Sequence, residues 1–315
     1  GAGQAEVLFG DGFPEPISTR SRSADVASQG GGELLLQKTL SLAALPFLES
    51  HKLKSQPVLP MAFMLEWFVQ GAMQSGAGMR LIGVDELRVF RGATISGGVE
   101  PTLAVSVLST SVAENGHSHW NLELRDIGRN ILHARATVIL GDTQPKGPEA
   151  LGLNGLAART YGYAPEAIYS ELLFHGPDFH AVGEVSGISD GGLVASLKSA
   201  GKPSEWEREP LRSDWATEPL VIDGVLQLGI LWCWESLGKP SLPNGFATYR
   251  QFVNRFPKSG VKAALRVVSH SERSLVADCE LMDSKGAILG RFERLEWTAD
   301  EALKAAFGLS GALAR

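Results

Sequence analysis

The sequence predicts an α+β fold of two pseudo-symmetric halves, each a central helix wrapped by a curved antiparallel sheet. Three observations lead there. Two segments, 61–75 and about 219–236, are apolar on nearly every side. Each is followed by four strand-like runs in the same order, and matching elements are offset by roughly 155–160 residues. A helix without a polar face must be buried on most sides, and one long sheet curled around it meets that demand. The halves share a pattern without visible sequence identity.

Composition bounds the rest. The chain has 315 residues, 44% of them hydrophobic, enough for a full core and for two domains or a duplicated one. No stretch of eighteen uncharged apolar residues occurs, so no membrane span is expected. No charged segment followed by an apolar one opens the chain, so secretion is not expected either. Cys233 and Cys279 lie far apart in hydrophobic runs and read as buried thiols in a reducing cytoplasm, not as a disulfide or metal site. With Lys+Arg 29 against Asp+Glu 35 and no basic run, nucleic acid is not an expected partner.

Taken in order, residues 1–33 are rich in Ser, Gly and Pro and read as a linker or N-terminal extension, as an excised piece of a longer polypeptide would begin. The first half is expected over 34–144. In its helix Met61, Met64, Leu65, Phe68 and Met73 form a helical stripe, while Phe63 and Trp67 cover the other side. Strand-like runs follow near 84–95, 102–112, 118–125 and 131–140, with Asn115-Gly116 as a hairpin turn. The polar break at 141–148 opens an inter-half linker at 145–165. The second half, 166–300, holds the 219–236 helix and runs near 246–256, 261–269, 274–282 and 287–297; a helical tail at 301–315 closes the chain. Gly187-Ile-Ser-Asp-Gly191 matches a nucleophile-elbow pattern, but strand-like runs flank it, so it reads as a hairpin turn. His117 and His119 have metal-ligand spacing, yet no acidic or Cys cluster accompanies them, and no metal site is expected.

Two places carry chemistry. His51 stands on a short, proline-stiffened stretch leading into the first apolar helix. Asp223 sits in the second, where a carboxylate in the first turn would also suit the helix dipole, with Gln227 one turn later. These residues fall into longer motifs. His51-xxx-Ser55-xxxx-Pro60, Leu173-Phe-His-Gly-Pro-Asp-Phe179, Asp223-xxx-Gln227 and Leu242-Pro243 followed by Arg250 occur in that order. Together they resemble the dehydratase domains of polyketide and polyunsaturated fatty acid synthases, and the duplicated pattern fits that family's double hotdog fold. The wording of residues 58–68 is most similar to polyunsaturated fatty acid synthases.

The resemblance implies dehydration of a 3-hydroxyacyl thioester on acyl carrier protein to a trans-2-enoyl thioester. It implies His51 as base and Asp223 as acid, with Gln227, Pro60, Gly176, Pro177, Phe179 and His175 as substrate-binding residues. Imidazole has a pKa near neutrality, as α-proton removal needs, and a carboxyl in an apolar tunnel stays protonated by desolvation. Backbone N–H groups at the start of the 61–75 helix are candidates for holding an enolate oxygen, and Gly176 is expected to allow close approach of the pantetheine. No metal or bound cofactor is implied, because phosphopantetheine arrives on the carrier. The expected partners are the carrier and other synthase domains, with a homodimer possible; Arg250, Arg255 and Lys258 are the expected carrier-docking residues. Ser55 replaces the motif glycine: it strains the loop if the position needs positive φ, and costs little if only small size matters. His175 stands where many modular polyketide dehydratases have Tyr. Rival readings are a double-bond isomerase or cyclase, a thioester hydrolase, and a non-catalytic scaffold of a megasynthase. A His51 and Asp223 facing different cavities would favour the scaffold.

Overall fold

The computed structural model describes residues 32–308. The expectation for 1–33, and that for the tail beyond residue 308, therefore lie almost wholly outside the described residues. Within 301–308 the chain makes one helical turn, Leu303–Ala306.

An edge strand, β1 (Leu34–Thr39), opens the first half. A helical turn, Pro46–Ser50, leads into a small hairpin, β2 (Lys52–Leu53) and β3 (Gln56–Pro57), and then into the first long helix, Met61–Ser75. Four strands follow: β4 (Arg80–Val89), β5 (Thr102–Val112), β6 (Ser118–Asp126) and β7 (Ile131–Gly141). The second half begins with β8 (Val182–Ser189) and β9 (Gly192–Leu197) and continues into the second long helix, Pro219–Leu237. It ends with β10 (Ser241–Gln251), β11 (Val261–Ser271), β12 (Ser274–Met282) and β13 (Ile288–Ala299).

All main strands join one eleven-stranded antiparallel sheet in the order β1-β5-β6-β7-β4-β10-β13-β12-β11-β9-β8. From its centre outward the order is the same in either direction: β4-β7-β6-β5-β1 one way, β10-β13-β12-β11-β9 the other. Strands β4 and β10 join the halves, pairing from Gly245↔Arg88 to Arg250↔Gly83. Gln144, in the segment between the halves, donates to the carbonyls of Leu81 (2.9 Å) and Gln251 and so clips the same seam. This is the double hotdog architecture.

The long helices are held by burial. Neither has a side-chain N-cap bond, a contribution worth about 1 kcal/mol, whereas each buried large apolar side chain is worth about 1.5–3 kcal/mol. Every residue from Met61 to Ala72 and from Pro219 to Trp234 is buried. The second long helix is long and apolar enough to cross a membrane by composition, but here the sheet encloses it. Its Gly229 lies under Trp297, where a Cβ would stand 2.1 Å from the indole. Gly238, at φ 70, ends it.

The strands differ from expectation in two ways. Runs placed at 84–95 and 246–256 are strands at Arg80–Val89 and Ser241–Gln251. Each long helix ends in a tight glycine turn, so the next strand starts early and the apolar residues after it fall in loops. β1 was not anticipated, because an edge strand with one buried residue, Leu36, carries little alternation.

One polar cluster crosses between the halves. Glu66, on the first long helix, is fully buried. It accepts bonds from Gln70 Nε2 (2.8 Å), Ala216 N (2.8 Å), Thr217 N (2.7 Å) and Thr217 Oγ1 (2.5 Å). Removing the acceptor strands these buried donors. Glu66→Ala is therefore expected to lower unfolding free energy by about 2–4 kcal/mol in urea denaturation.

Candidate active site

His51 is positioned by the small hairpin. Lys54 and Ser55 both have positive φ, 51 and 62, as a two-residue hairpin turn requires. The Ser55 position thus does demand the left-handed region, at a cost of roughly 1–2 kcal/mol for a residue other than glycine. The hairpin closes nonetheless, with Val58 N donating to His51 O (3.0 Å). His51 Nδ1 lies 2.8 Å from Val58 O, an acceptor, so Nδ1 carries the proton and Nε2 the lone pair. The ring is buried among Phe174, His175 and Phe179, and this burial pushes its pKa down to about 4. That departs from a base poised near neutrality; removal from water outweighs the backbone bond.

Asp223 lies in the second turn of its helix, which begins at Pro219, so the first-turn dipole account does not apply. Burial pushes its carboxyl up to about 7, against a smaller downward pull from Gln227. Oδ2 accepts from Gln227 Nε2 at 2.7 Å, and His175 Nε2 stands 3.5 Å from the same oxygen. Burial holds the His175 imidazole neutral, well below its ordinary range.

The loops bearing His51 and His175 are bridged backbone to backbone, and Gly176 N donates to Ser50 O at 2.7 Å. A Cβ on Gly176 would stand 2.9 Å from Ser50 Cα, while its φ of −80 is ordinary. Glycine is needed here so that the two histidine loops can touch.

His51, His175 and Asp223 line one cavity of about 100 Å³, with Met61 and Met64 on its wall and Leu53 and Asn244 at its edge. Pro60, Gly176, Pro177, Phe179 and Gln227 were expected to bind substrate, but none of them lines this cavity. Pro60 precedes the first long helix, its carbonyl accepting from Phe63 N and Met64 N. Among the described hydrogen bonds this leaves the N–H groups of Met61 and Ala62 for an enolate oxygen. Gln227 is wholly buried against Asp223, the Phe179 carbonyl (2.9 Å) and the Tyr169 hydroxyl (2.8 Å).

The basic residues expected to dock a carrier are also placed elsewhere. Arg250 is paired with Asp85 at 2.5 Å within the sheet. Arg255, paired with Asp214, and Lys258 follow the end of β10 opposite the Leu242–Asn244 end that borders the cavity. Pro243 and Gln251 stand eight positions apart along the strand, roughly 26 Å.

Arg255 instead lines a larger cleft of about 710 Å³ with Met73, Leu81, Trp215 and Ala216. Unlike the small cavity, which Asp223 lines, this cleft is not lined by Glu66, the acid of the first long helix. Glu66 and Gln70 repeat the spacing of Asp223 and Gln227. Glu66, however, is saturated by four donors, whereas Asp223 has one full bond. The small cavity, which alone of the two brings a buried acid to its wall, is the candidate site. Sequence reasoning passed over Glu66 and Tyr169; an acid alone in an apolar helix was the signal for the first.

His51, His175 and Asp223 are also the residues that could offer a metal three ligand atoms, all within 4.8 Å of one another. Tetrahedral zinc ligands stand about 3.3 Å apart. Between about pH 4 and 7 the two protonation states suit proton transfer: a neutral imidazole facing a neutral carboxyl. Activity is expected to fall as pH rises through about 7, when Asp223 ionises, and as pH drops through about 4, when His51 charges. A profile of kcat/KM against pH, which reports the groups of the free enzyme, checks both limbs.

Comparison with known proteins agrees with this fold. A family model described as "Polyketide synthase dehydratase domain" matches residues 23–122, and one described as "Polyketide synthase dehydratase N-terminal domain" matches 161–306. A polyunsaturated fatty acid synthase polypeptide of a Thraustochytrium species is 25% identical over 247 residues, which is 78% of this chain and 8% of that protein. Two solved structures share the fold. The dehydratase domain of a mycocerosic acid synthase-like polyketide synthase is 20% identical, with a TM-score of 0.63 over 88% of this chain and 97% of that one. A trans-AT polyketide synthase dehydratase domain from Brevibacillus brevis is 18% identical, with a TM-score of 0.65 over 84% and 93%.

Proposed function

The chain belongs to the polyketide synthase dehydratase family, and on that premise we propose that it removes water from a 3-hydroxyacyl thioester held on acyl carrier protein. The observation that carries this reading is a neutral His51 and a protonatable Asp223 facing one another across a single apolar cavity. His51 Nε2 takes the α-proton, and the freed pair forms the Cα=Cβ bond. The Cβ–O bond breaks as Asp223 delivers its proton to the departing hydroxyl, leaving water, a trans-2-enoyl thioester, imidazolium and carboxylate. Each positioned proton transfer is worth about 10²–10⁴ in rate. Both transfers are met by side chains, so the reaction asks for no group beyond the phosphopantetheine that brings the substrate. A scaffold would not need the two groups in one cavity, and that sharing favours the enzyme. Two buried free thiols fit a reducing cytoplasm.

Incubation with a 3R-hydroxyacyl carrier protein, followed by intact mass, is expected to show loss of water. His51→Ala and Asp223→Asn should each slow it at least ~100-fold. A wild type that changes no mass, including in hydration of an enoyl thioester, would turn the reading toward an isomerase or scaffold.

The carrier should dock where basic residues rim the cavity. Lys54 is exposed on the hairpin whose Leu53 lines the cavity, and Arg91 precedes the lining Gly92; neither has a carboxylate partner among the described ion pairs. Steady-state kinetics of Lys54→Glu with Arg91→Glu should show KM for carrier-borne substrate rising about tenfold, with a short thioester mimic unaffected.

A further inference from the structure

Behind the cavity runs a line of hydrogen bonds whose polarity is set at both ends. At one end the backbone N–H of Val182, which can only donate, meets the Tyr169 hydroxyl oxygen at 2.6 Å. That oxygen accepts, so the hydroxyl proton goes onward to Gln227 Oε1 at 2.8 Å. The amide nitrogen of Gln227 then faces the other way, donating to the Phe179 carbonyl (2.9 Å) and to Asp223 Oδ2 (2.7 Å). The Phe179 carbonyl can only accept, so an inverted amide would set oxygen against oxygen there and nitrogen-borne hydrogen against the Tyr169 proton. The two ends require the same orientation. Tyr169 is itself held flat against His180, ring centroids 3.9 Å apart.

We infer that this line places the acidic proton of Asp223 on Oδ1, and that Tyr169 is a positioning residue acting through Gln227. Oδ2 already faces an N–H from Gln227, with His175 Nε2 at 3.5 Å, and a proton there would oppose the amide hydrogen. Oδ1 has no protein partner among the described hydrogen bonds and is left to the substrate hydroxyl. When the Oδ1–H bond breaks, the proton joins the departing oxygen, which keeps the Cβ–O electron pair. The charge left on the carboxylate meets a donor already in place on Oδ2, so no dipole must turn during the step.

The role in turnover rests on the dehydratase reading; the proton's position does not, and it is measured without substrate. The infrared difference between wild type and Asp223→Asn near pH 5.5 isolates the C=O stretch of the protonated carboxyl. Gln227→Leu should move that band to higher wavenumber, because Oδ2 loses its donor, and Tyr169→Phe should move it the same way by less. Tyr169→Phe should also lower kcat about 10–100-fold, with KM within twofold. A band that stays in place in both variants, or a Tyr169→Phe kcat within twofold of wild type, would overturn the inference. Tyr169→Phe removes one oxygen from a half-buried ring and carries the test alone should Gln227→Leu not fold. Bands that shift in both variants as described, beside a wild type that dehydrates nothing, would instead count against the dehydratase reading.

Discussion

A helix with no polar face has to be enclosed on all sides, and any carboxyl on it loses its water with it. That constraint shapes the protein. It calls for a sheet long enough to wrap two such helices, and the central pairing of β4 with β10 supplies one continuous sheet. It also prepares the chemistry, because the same enclosure raises Asp223 to about 7 and lowers His51 to about 4. An exposed pair would hold the opposite states at neutral pH, a charged carboxylate and a partly charged imidazole, and would attract each other instead of a substrate.

Enclosure alone does not make a site. Glu66 and Asp223 occupy equivalent helices, are equally buried, and each has a glutamine four residues on. Residues 216–217 spend three donors on Glu66, fastening the halves together. At Asp223 the corresponding space is open and bordered by the two histidines. The duplicated fold thus commits one acid to cohesion and leaves the other facing a cavity, and the difference lies in the loop each helix faces.

The second constraint is the contact between loops distant in sequence. Gly176 against Ser50 brings His175 within reach of both His51 and Asp223. The strained turn at Lys54 and Ser55 lets the hairpin fold back so that Val58 can fix the His51 tautomer. These are local backbone costs, each small beside the burial of the two helices.

The sequence by itself determined the two buried helices and six of the eight strands that follow them to within a few residues, and it singled out His51 and Asp223, which the fold brings to one cavity. Periodicity and motif spacing are local, and burial of an all-apolar helix admits few solutions. Only the tertiary structure decided which motif residues reach the cavity. Gly176 and Gln227 look like substrate contacts in a motif, yet one packs two loops and the other orients an acid. Arg255 looks like a docking residue in the sequence, yet it lines a separate cleft past the far end of β10. Such roles depend on which side of a wall an atom faces, and that follows from contacts between segments more than a hundred residues apart, which no local pattern records.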